Sequence, residues 1–580
     1  MSKGVLFDTS LSTGGGYENS MNIHNKDFTE RFEYVCSTYA DKAAITYLRD
    51  DGTKDEFAFS EIYQHAQRAK EQFLRMGLHP GDRAAIISPH NPFAVIAALT
   101  LSCMNIAIVL IDAALPQEEI NRLLTFSDVR AVFTFPETYD KTNKLLFDGI
   151  PVFDLSQQCG EYQTFPDAAP RVLHPKTTDP DLEVISILFS SGTTASTKGV
   201  MVTYTAVNQS RPMYYSLKGS SKTISDDSNN LLFVLPLFHV AGFFCAFQHF
   251  MSGCGLGMIE NVDALKISKA FHSYNPEFFA LVPKFYEIVE QKIRQTIKEK
   301  GLVAERVMHA LLSLSRFSRK HLGINIGKVL FSGVRSRVFG KNLICLGTGG
   351  SKCNEATASF FLDLGIEIWA NFYSLTETYV PTIATCAFDR YPASTEGNVK
   401  RFNGIDVKVH DSDENGIGEI RIKTILVMKG YFRDPELTAS AFDKDGYFKT
   451  GDLGWIDKKG YLHITGRIKE AIHMHTGKKV APSDVDNLYG GVHPNVTLAS
   501  CGVPAKDGYD EIHLFIEKGS FSAEELQEIR KSMMVFSNTT GTMYQISGIH
   551  FIDKLPLTSV GKVKRFQLKE IALAESVEKI

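Results

Sequence analysis

Between Phe59 and Phe135 the chain alternates amphipathic helical segments with short apolar runs, and that rhythm restricts the fold more than any other feature of its 580 residues. FSEIYQHAQRAKEQFLRMG carries its apolar positions at helical spacing, DRAAIIS is a short β-run, QEEINRLLTFSD is again helical and RAVFTF again extended. Strands separated by helices predict a parallel sheet, because a crossover is what returns the chain to the same edge. One piece of this region, Ala94 to Ile111, is eighteen residues without a charge, about the lower limit of a membrane span. It contains Asn105, opens helix-like and closes on β-branched residues before Asp112, so it reads as a buried helix running into a buried strand.

Further β-runs are predicted at Leu182–Phe189, Leu231–Leu235 and Phe278–Val282. After Asn415 short strands with Gly and Asp turns predict a small β-rich subdomain, and beyond about Arg467 strands mixed with helices predict a compact α+β tail. The fold class expected is therefore α/β: a large N-terminal part of parallel-type sheets with flanking helices and a β-rich subdomain, then a small α+β C-terminal part. Hydrophobic residues at 44% and charged residues at 22% supply a large core and exclude disordered, collagenous and coiled-coil classes.

Lys and Arg number 62 against 66 Asp and Glu, a net charge of −4, so no overall basic field suits nucleic acid. The segment Lys292–Lys341 departs from that balance with twelve Lys or Arg and two Glu. It reads first as a solvated helical face and second as a contact for a membrane surface or an acidic partner. Nine scattered cysteines without a C-x-x-C pair signal neither a disulfide framework nor a zinc knuckle. The N-terminal stretch lacks an apolar signal core, so the expected address is the cytoplasm, peripheral to a membrane if the basic segment makes contact.

Four segments carry chemistry. After the strand LEVISILF come Ser190, Ser191, Gly192, Thr193, Thr194, Ala195, Ser196, Thr197, Lys198 and Gly199, a loop of six hydroxyls, two glycines and one lysine. Phosphate oxygens want such donors, although the loop is not a Walker A motif, which would need Gly at Thr197 and Ser or Thr at Gly199. Taken alone it reads equally as a polar surface loop. Asn371-Phe372-Tyr373-Ser374-Leu375-Thr376-Glu377 sets an aromatic pair beside a hydroxyl and a carboxylate, able to stack a base and hold Mg²⁺, or else to end a strand with Thr376 capping a helix. Thr450-Gly451-Asp452 and Gly466-Arg467 offer a carboxylate for ribose hydroxyls and a guanidinium for phosphate or ribose oxygens, or simply two β-turns. Pro556–Lys562 presents Lys562 on a Gly turn, either a solvated lysine or a movable charge.

In this order and spacing the four segments resemble the AMP-forming acyl/aryl-CoA synthetase superfamily, the adenylate-forming enzymes, over nearly the whole chain, with long-chain fatty acyl-CoA synthetases as the nearest type. The resemblance implies an N-terminal adenylation domain, residues 1–466, and a mobile C-terminal domain, residues 467–580, hinged at Lys469. It implies ATP, Mg²⁺ and coenzyme A as co-substrates and cofactors. A carboxylate attacks the α-phosphate of ATP, and a thiol then displaces AMP from the acyl-adenylate. Carried over by motif, Ser190 to Lys198 grip the β- and γ-phosphates, Thr376 the α-phosphate and Glu377 the magnesium. Asp452 takes the ribose with Arg467 alongside, Gly349, Gly350 and Ser351 form the adenine strand, and Tyr373 faces the base. Lys562 bridges α-phosphate and carboxylate as the catalytic lysine. Ala195 and Ser374 replace usual glycines and Thr197 a usual proline, so a non-catalytic or regulatory relative is the alternative of another class.

Leu235–Gly242 (LPLFHVAG) resembles the family's fourth motif in its acyl-CoA form, with His239 as a catalytic candidate or a packed strand-end histidine. Phe238-His239 offers no carboxylate for an ammonium group, which disfavours an α-amino acid. The basic stretch from Leu302 to Gly350 resembles an insertion of long-chain fatty acyl-CoA synthetases, making a fatty acid the expected substrate. An aryl acid of the coumarate kind is the alternative. His475–Val480, with Gly477 and Lys478, matches the CoA loop; a carrier protein's phosphopantetheine presents the same thiol.

Overall fold

A computed structural model of the chain describes residues 27–141, 150–156, 162–165, 182–190, 198–215, 230–351, 353–379, 383–386, 395–399, 404–475, 479–493, 496–505, 508–558 and 561–578. The Phe59–Phe135 rhythm becomes a seven-stranded sheet, ordered Gly430–Tyr431, Lys198–Thr203, Val184–Ser190, Ala107–Asp112, Arg83–Ser88, Ala131–Thr134, Val152–Asp154. Its last five strands are parallel, and Lys198–Thr203 and Gly430–Tyr431 add antiparallel at the edge. A second sheet of eight strands is parallel from Ala43–Leu48 through Leu256–Ile259, Leu231–Phe233, Phe278–Ala280 and Cys345–Gly349 to Ile368–Tyr373, with one antiparallel strand at each edge.

The eighteen-residue uncharged stretch is the helix Pro92–Cys103 followed by the strand Ala107–Asp112. Asn91 caps that helix through its side chain, which accepts from the Phe93 amide at 2.9 Å, and Pro92 supplies a preset φ at the first position. Every residue from Pro92 to Ser102 is buried, as a helix apolar all round must be. Asn105 makes the exit turn at φ 54°, a conformation asparagine tolerates better than branched residues.

A four-stranded antiparallel sheet (Ile405–His410, Gly418–Thr424, Phe448–Ile456, Leu462–Arg467) is the β-rich part, beginning ten residues earlier than the turn pattern suggested. Beyond it, a three-stranded sheet (Leu498–Pro504, Asp510–Glu517, Ile546–Ile552) carries the helices Pro482–Gly490, Ala523–Thr539 and Arg565–Glu578. Two cores serve this tail, one around Tyr489, Leu514 and Met533 and one around Phe515 and Leu568, and all their described members lie at or beyond Ile472.

Candidate active site

Parallel strands aim their carboxyl ends at one side of a sheet, where loops leave room for a ligand. Here both large sheets do so into a single cavity of about 510 Å³. Ile111 and Asp112 end one strand at its wall, Phe189 another, and Ala280, Gly349 and Phe372 end three strands of the second sheet. The four-stranded sheet contributes Thr450, Gly451 and Arg467, and the C-terminal part contributes Lys562.

Lys198 opens the strand that returns from the hydroxyl-rich loop, in register with Ser190 on the strand that leads into it. Its ammonium sits 5.1 Å from the ring centre of Tyr431, and both line the cavity. The Tyr431 hydroxyl donates to Glu377 Oε1 at 2.9 Å, so one tyrosine arranges a cation and a carboxylate at the same wall. Residues 191–197, which include Ser191, Gly192, Thr193, Thr194, Ala195 and Thr197, lie outside the described residues. Glu377 and Thr376 sit on a three-residue 3₁₀ turn, Thr376–Thr378. No longer helix follows in the described residues, and the cap at Leu375 is completed by Thr378, whose Oγ1 accepts from the Leu375 amide at 3.0 Å. The helix-cap reading of Thr376 is therefore corrected: its side chain is left for the cavity. Ser374 has no left-handed backbone, so a side chain fits where glycine was expected.

The register of Ile368–Tyr373 overturns one expectation. Successive strand residues point to opposite faces, so with Phe372 on the cavity wall Tyr373 turns away from it. The Tyr373 hydroxyl donates to Asp452 Oδ2 at 2.6 Å, and Arg467 Nε meets Asp452 Oδ1 at 2.9 Å. Asp452 is buried at 3% exposure, and burial holds its carboxyl above the usual range against the pull of Arg467 and the tyrosine hydroxyl. Asp452 thus lies behind the Thr450-Gly451 wall rather than on it, and Tyr373 positions it instead of facing a base. Ser351 is exposed and off the wall, whereas Gly349 and Gly350 are on it.

Lys562 reaches the cavity from a loop closed by its own backbone: the Thr558 amide donates to the Lys562 carbonyl at 2.8 Å and the Lys562 amide to Thr558 Oγ1 at 3.0 Å. It packs where Gly350, at φ +80°, has no side chain; a Cβ there would lie 3.5 Å from Lys562 Cε. Burial first, and Arg467 second, push the ammonium below its ordinary pKa, while Asp452, Glu470 and Glu377 hold it up. Lys469 lines the same cavity in the turn between Arg467 and Ala471. Gly477 and Lys478 lie outside the described residues.

His239 caps the helix Val240–Phe250, its Nδ1 accepting from the Ala241 amide at 3.2 Å, and also lines the cavity. The packed, helix-capping position is thus compatible with a place on the cavity wall. Burial, with Lys562 second, pushes its pKa down to about 4, so it is neutral near neutral pH; with Nδ1 accepting, the proton sits on Nε2. The wall beyond it is apolar and aromatic: Leu235, Phe238, Phe244, Leu281 and Tyr379. Tyr379 holds φ 62°, ψ −75°, a strained conformation for an aromatic residue, wedged edge-on against Phe243 and Phe244.

Several of these residues escaped the sequence reading. Tyr431 and Tyr379 belong to none of the four segments and are recruited by long-range packing. Thr348, one residue before Gly349, is 1% exposed, lines the cavity, and its Oγ1 has no hydrogen-bond partner among the described residues. Such an orphan is costly unless a ligand satisfies it, which fits a cavity built for a polar guest. For a metal, Glu377 offers Oε2, which has no hydrogen bond among the described residues, and no group of three ligating side chains stands among them. That donor set fits Mg²⁺, which keeps waters and substrate phosphates on most of its positions.

The chain matches the AMP-binding enzyme family over residues 32–432. It is 26% identical to a 4-coumarate–CoA ligase of Vanilla planifolia, over 90% of this chain and 89% of the relative. It is 24% identical to the long-chain-fatty-acid–CoA ligase ACSBG2 of Rattus norvegicus, over 91% and 82%. Among solved structures, the anthranilate CoA ligase AuaEII in complex with anthranoyl-AMP shares the fold at TM-score 0.72 and 18% identity, covering 95% of this chain and 98% of that one. With the family spanning well over half the chain and the cavity at the strand ends of its sheets, this protein belongs to the AMP-binding enzymes, adenylate-forming ligases that use ATP to activate an acid.

Proposed function

We propose that the protein is an AMP-forming acid–CoA ligase for an apolar carboxylic acid, with a long-chain fatty acid as the first candidate. The observation that carries this reading is Lys562, delivered from the C-terminal part into a cavity that already holds Lys198, Glu377, Arg467 and His239. A carboxylate is a poor electrophile until one oxygen becomes part of a good leaving group, and joining it to the α-phosphorus of ATP, with pyrophosphate leaving, achieves that. Lys198 and the hydroxyl loop hold the β- and γ-phosphates, and Thr376 meets the α-phosphate. Asp452, held by Tyr373 and Arg467 behind the Thr450-Gly451 wall, braces the side of the cavity that receives the ribose. Glu377 holds Mg²⁺, which when bound neutralises phosphate charge. Lys562 lies between α-phosphate and carboxylate, where negative charge gathers. His239 donates through Nε2–H to the acid as a neutral group, and the apolar wall receives its tail.

Once the adenylate is made, the C-terminal part, residues 467–580, rotates about Lys469 and takes Lys562 away, so that the loop with Gly477 and Lys478 brings the CoA thiol. The apolar wall, with no carboxylate at Phe238 or His239 for an ammonium group, supports an acid without an α-amino group. The aromatic faces of Phe238, Phe244, Phe372 and Tyr379 favour an aryl acid as the second reading.

The test is pyrophosphate release from Mg-ATP with acetate, palmitate and coumarate, each with and without CoA. Palmitate-dependent release that rises with CoA supports the first reading, coumarate-dependent release the second, and absence of ATP binding overturns both. Lys562→Ala is expected to slow adenylate formation by about a hundred- to a thousandfold while thioester formation from supplied adenylate persists. Equal loss in both half-reactions would refute the two-position role.

A further inference from the structure

The basic segment sits on the helix Leu302–Phe317 and the elements flanking it. That helix packs through Leu312 and Ser315, with Met308 and Leu311 partly buried beside them. Its opposite side should then be polar, since a helix apolar on two sides is normally covered on both. Instead Leu302 is 70% exposed, Val303 77%, Leu314 51% and Phe317 55%, with Val307 also exposed. At 100° per residue these five fall within an arc of about 140°, and Arg306 lies inside it. Leu322, just past the helix, is exposed too.

The charges around this stripe are as lopsided as the apolar side chains. Of the twelve cations in Lys292–Lys341, Arg316 and Arg319 pair with the buried Asp363, Arg294 with Glu290 and Lys328 with Glu367, and Arg335 donates to backbone carbonyls. The other seven are exposed with no ion-pair partner among the described residues; Lys298 and Lys300 lead into the helix, Arg306 sits on the stripe and Lys320 follows it. Arg316 in the last turn and Arg319 just past it tie the end of this helix to its neighbour, the helix Glu355–Asp363, and leave the outer stripe uncovered.

We infer that this face is a docking surface for an anionic lipid bilayer, lying flat on it with the aliphatic stripe among the acyl chains and the lysines and arginines at the headgroups. Both halves of the observation point to that partner. Aliphatic and Phe side chains flanked by long basic ones match an interfacial helix, whose stems reach past the apolar layer while the charges stay in water. A second copy of the chain fits poorly, because a two-fold contact would set the unpaired cations against themselves. No helix among the described residues is long and apolar enough to cross a membrane, so the contact is one of surface.

The experiment is flotation of the full chain with phosphatidylcholine vesicles and with vesicles of phosphatidylcholine and phosphatidylserine. Binding to the anionic vesicles, weak on the neutral ones and falling with added salt, is expected. Lys298→Ala with Lys300→Ala and Arg306→Ala should weaken anionic binding about a hundredfold and leave neutral vesicles unaffected. Leu302→Asp with Val303→Asp, the most exposed of the stripe and in the first turn where a carboxylate suits the helix dipole, should weaken it by a similar factor, and neither set should lower the melting temperature. Failure to float with anionic vesicles overturns the inference, as does binding untouched by both variants. Self-association, or capture by an acidic protein, without vesicle binding would give the face to another partner and overturn it equally.

Discussion

Replacing Tyr373 by phenylalanine removes one oxygen and keeps the ring. That oxygen donates to Asp452 Oδ2 at 2.6 Å, a short bond to a carboxylate only 3% exposed. Hydrogen bonds to buried charged groups contribute about 1.5–3 kcal/mol, so Tyr373→Phe should destabilise the protein by roughly 2 kcal/mol. Asp452 keeps its contact to Arg467 at 2.9 Å, so it is loosened rather than stranded, and ATP affinity should fall by about tenfold. The direction with pH follows from the same contact. Burial already holds the Asp452 carboxyl above its ordinary value, and the tyrosine hydroxyl is one of the groups pulling it down. Without it the carboxyl climbs further, and the acid limb of ATP binding moves to higher pH. Urea denaturation and calorimetric titration of ATP across the acid range measure all three effects. A variant identical to the parent in stability, affinity and pH profile would mean that the hydroxyl is idle and that Tyr373 does not position Asp452.

Other perturbations read other parts of the site. Thr348→Val removes a buried hydroxyl with no partner among the described residues, so the ligand-free protein should be at least as stable while affinity for ATP or acid drops about fivefold; a loss of stability with unchanged affinity would make the hydroxyl structural. Gly242→Ala puts a Cβ 1.9 Å from the Pro236 carbonyl oxygen, so the helix that carries His239 must shift, at about 3 kcal/mol; an unchanged denaturation midpoint would contradict that packing. His90, His239 and His249 are each pushed by burial from 6.5 to about 4. Below pH 6.5 the unfolded chain takes up protons that the folded one refuses until about pH 4, so the histidines' contribution should be flat above that window and fall by about 3 kcal/mol for each of the three as pH drops through it. Stability flat across the whole window would show these histidines to be hydrated.

What could be read in advance was what local pattern encodes. The alternation of periods from Phe59 to Phe135 became the parallel sheet, and the uncharged stretch split at Asn105 into helix and strand. Two of the four segments reach the cavity through parallel strands, Lys198 beside the end of Val184–Ser190 and Thr376-Glu377 after Ile368–Tyr373, whereas Thr450-Gly451 and Arg467 come from the antiparallel four-stranded sheet and Lys562 from the C-terminal part. What could not be read was direction. An aromatic pair such as Phe372-Tyr373 advertises stacking, but only the register of its strand decides which ring faces the ligand. Tyr431 is invisible for a different reason, since its partners Lys198 and Glu377 are far away in sequence and come together only when Gly430–Tyr431 pairs with Lys198–Thr203. The outer stripe of Leu302–Phe317 is likewise hidden in composition, because sequence counts apolar residues without saying which side of a helix already has a neighbour.

That two-residue strand also sets a timetable for the newborn protein. Lys198–Thr203 leaves the ribosome with one side bonded to Val184–Ser190 and its other edge open, and its remaining partner is made only when Tyr431 has been synthesised. At about 5–20 residues per second the interval is on the order of ten seconds or more. Throughout it, an unfinished sheet shows an open edge to every other nascent chain nearby. Any change that slows translation between these two positions, without altering a single amino acid, should therefore raise the share of chains lost to aggregation.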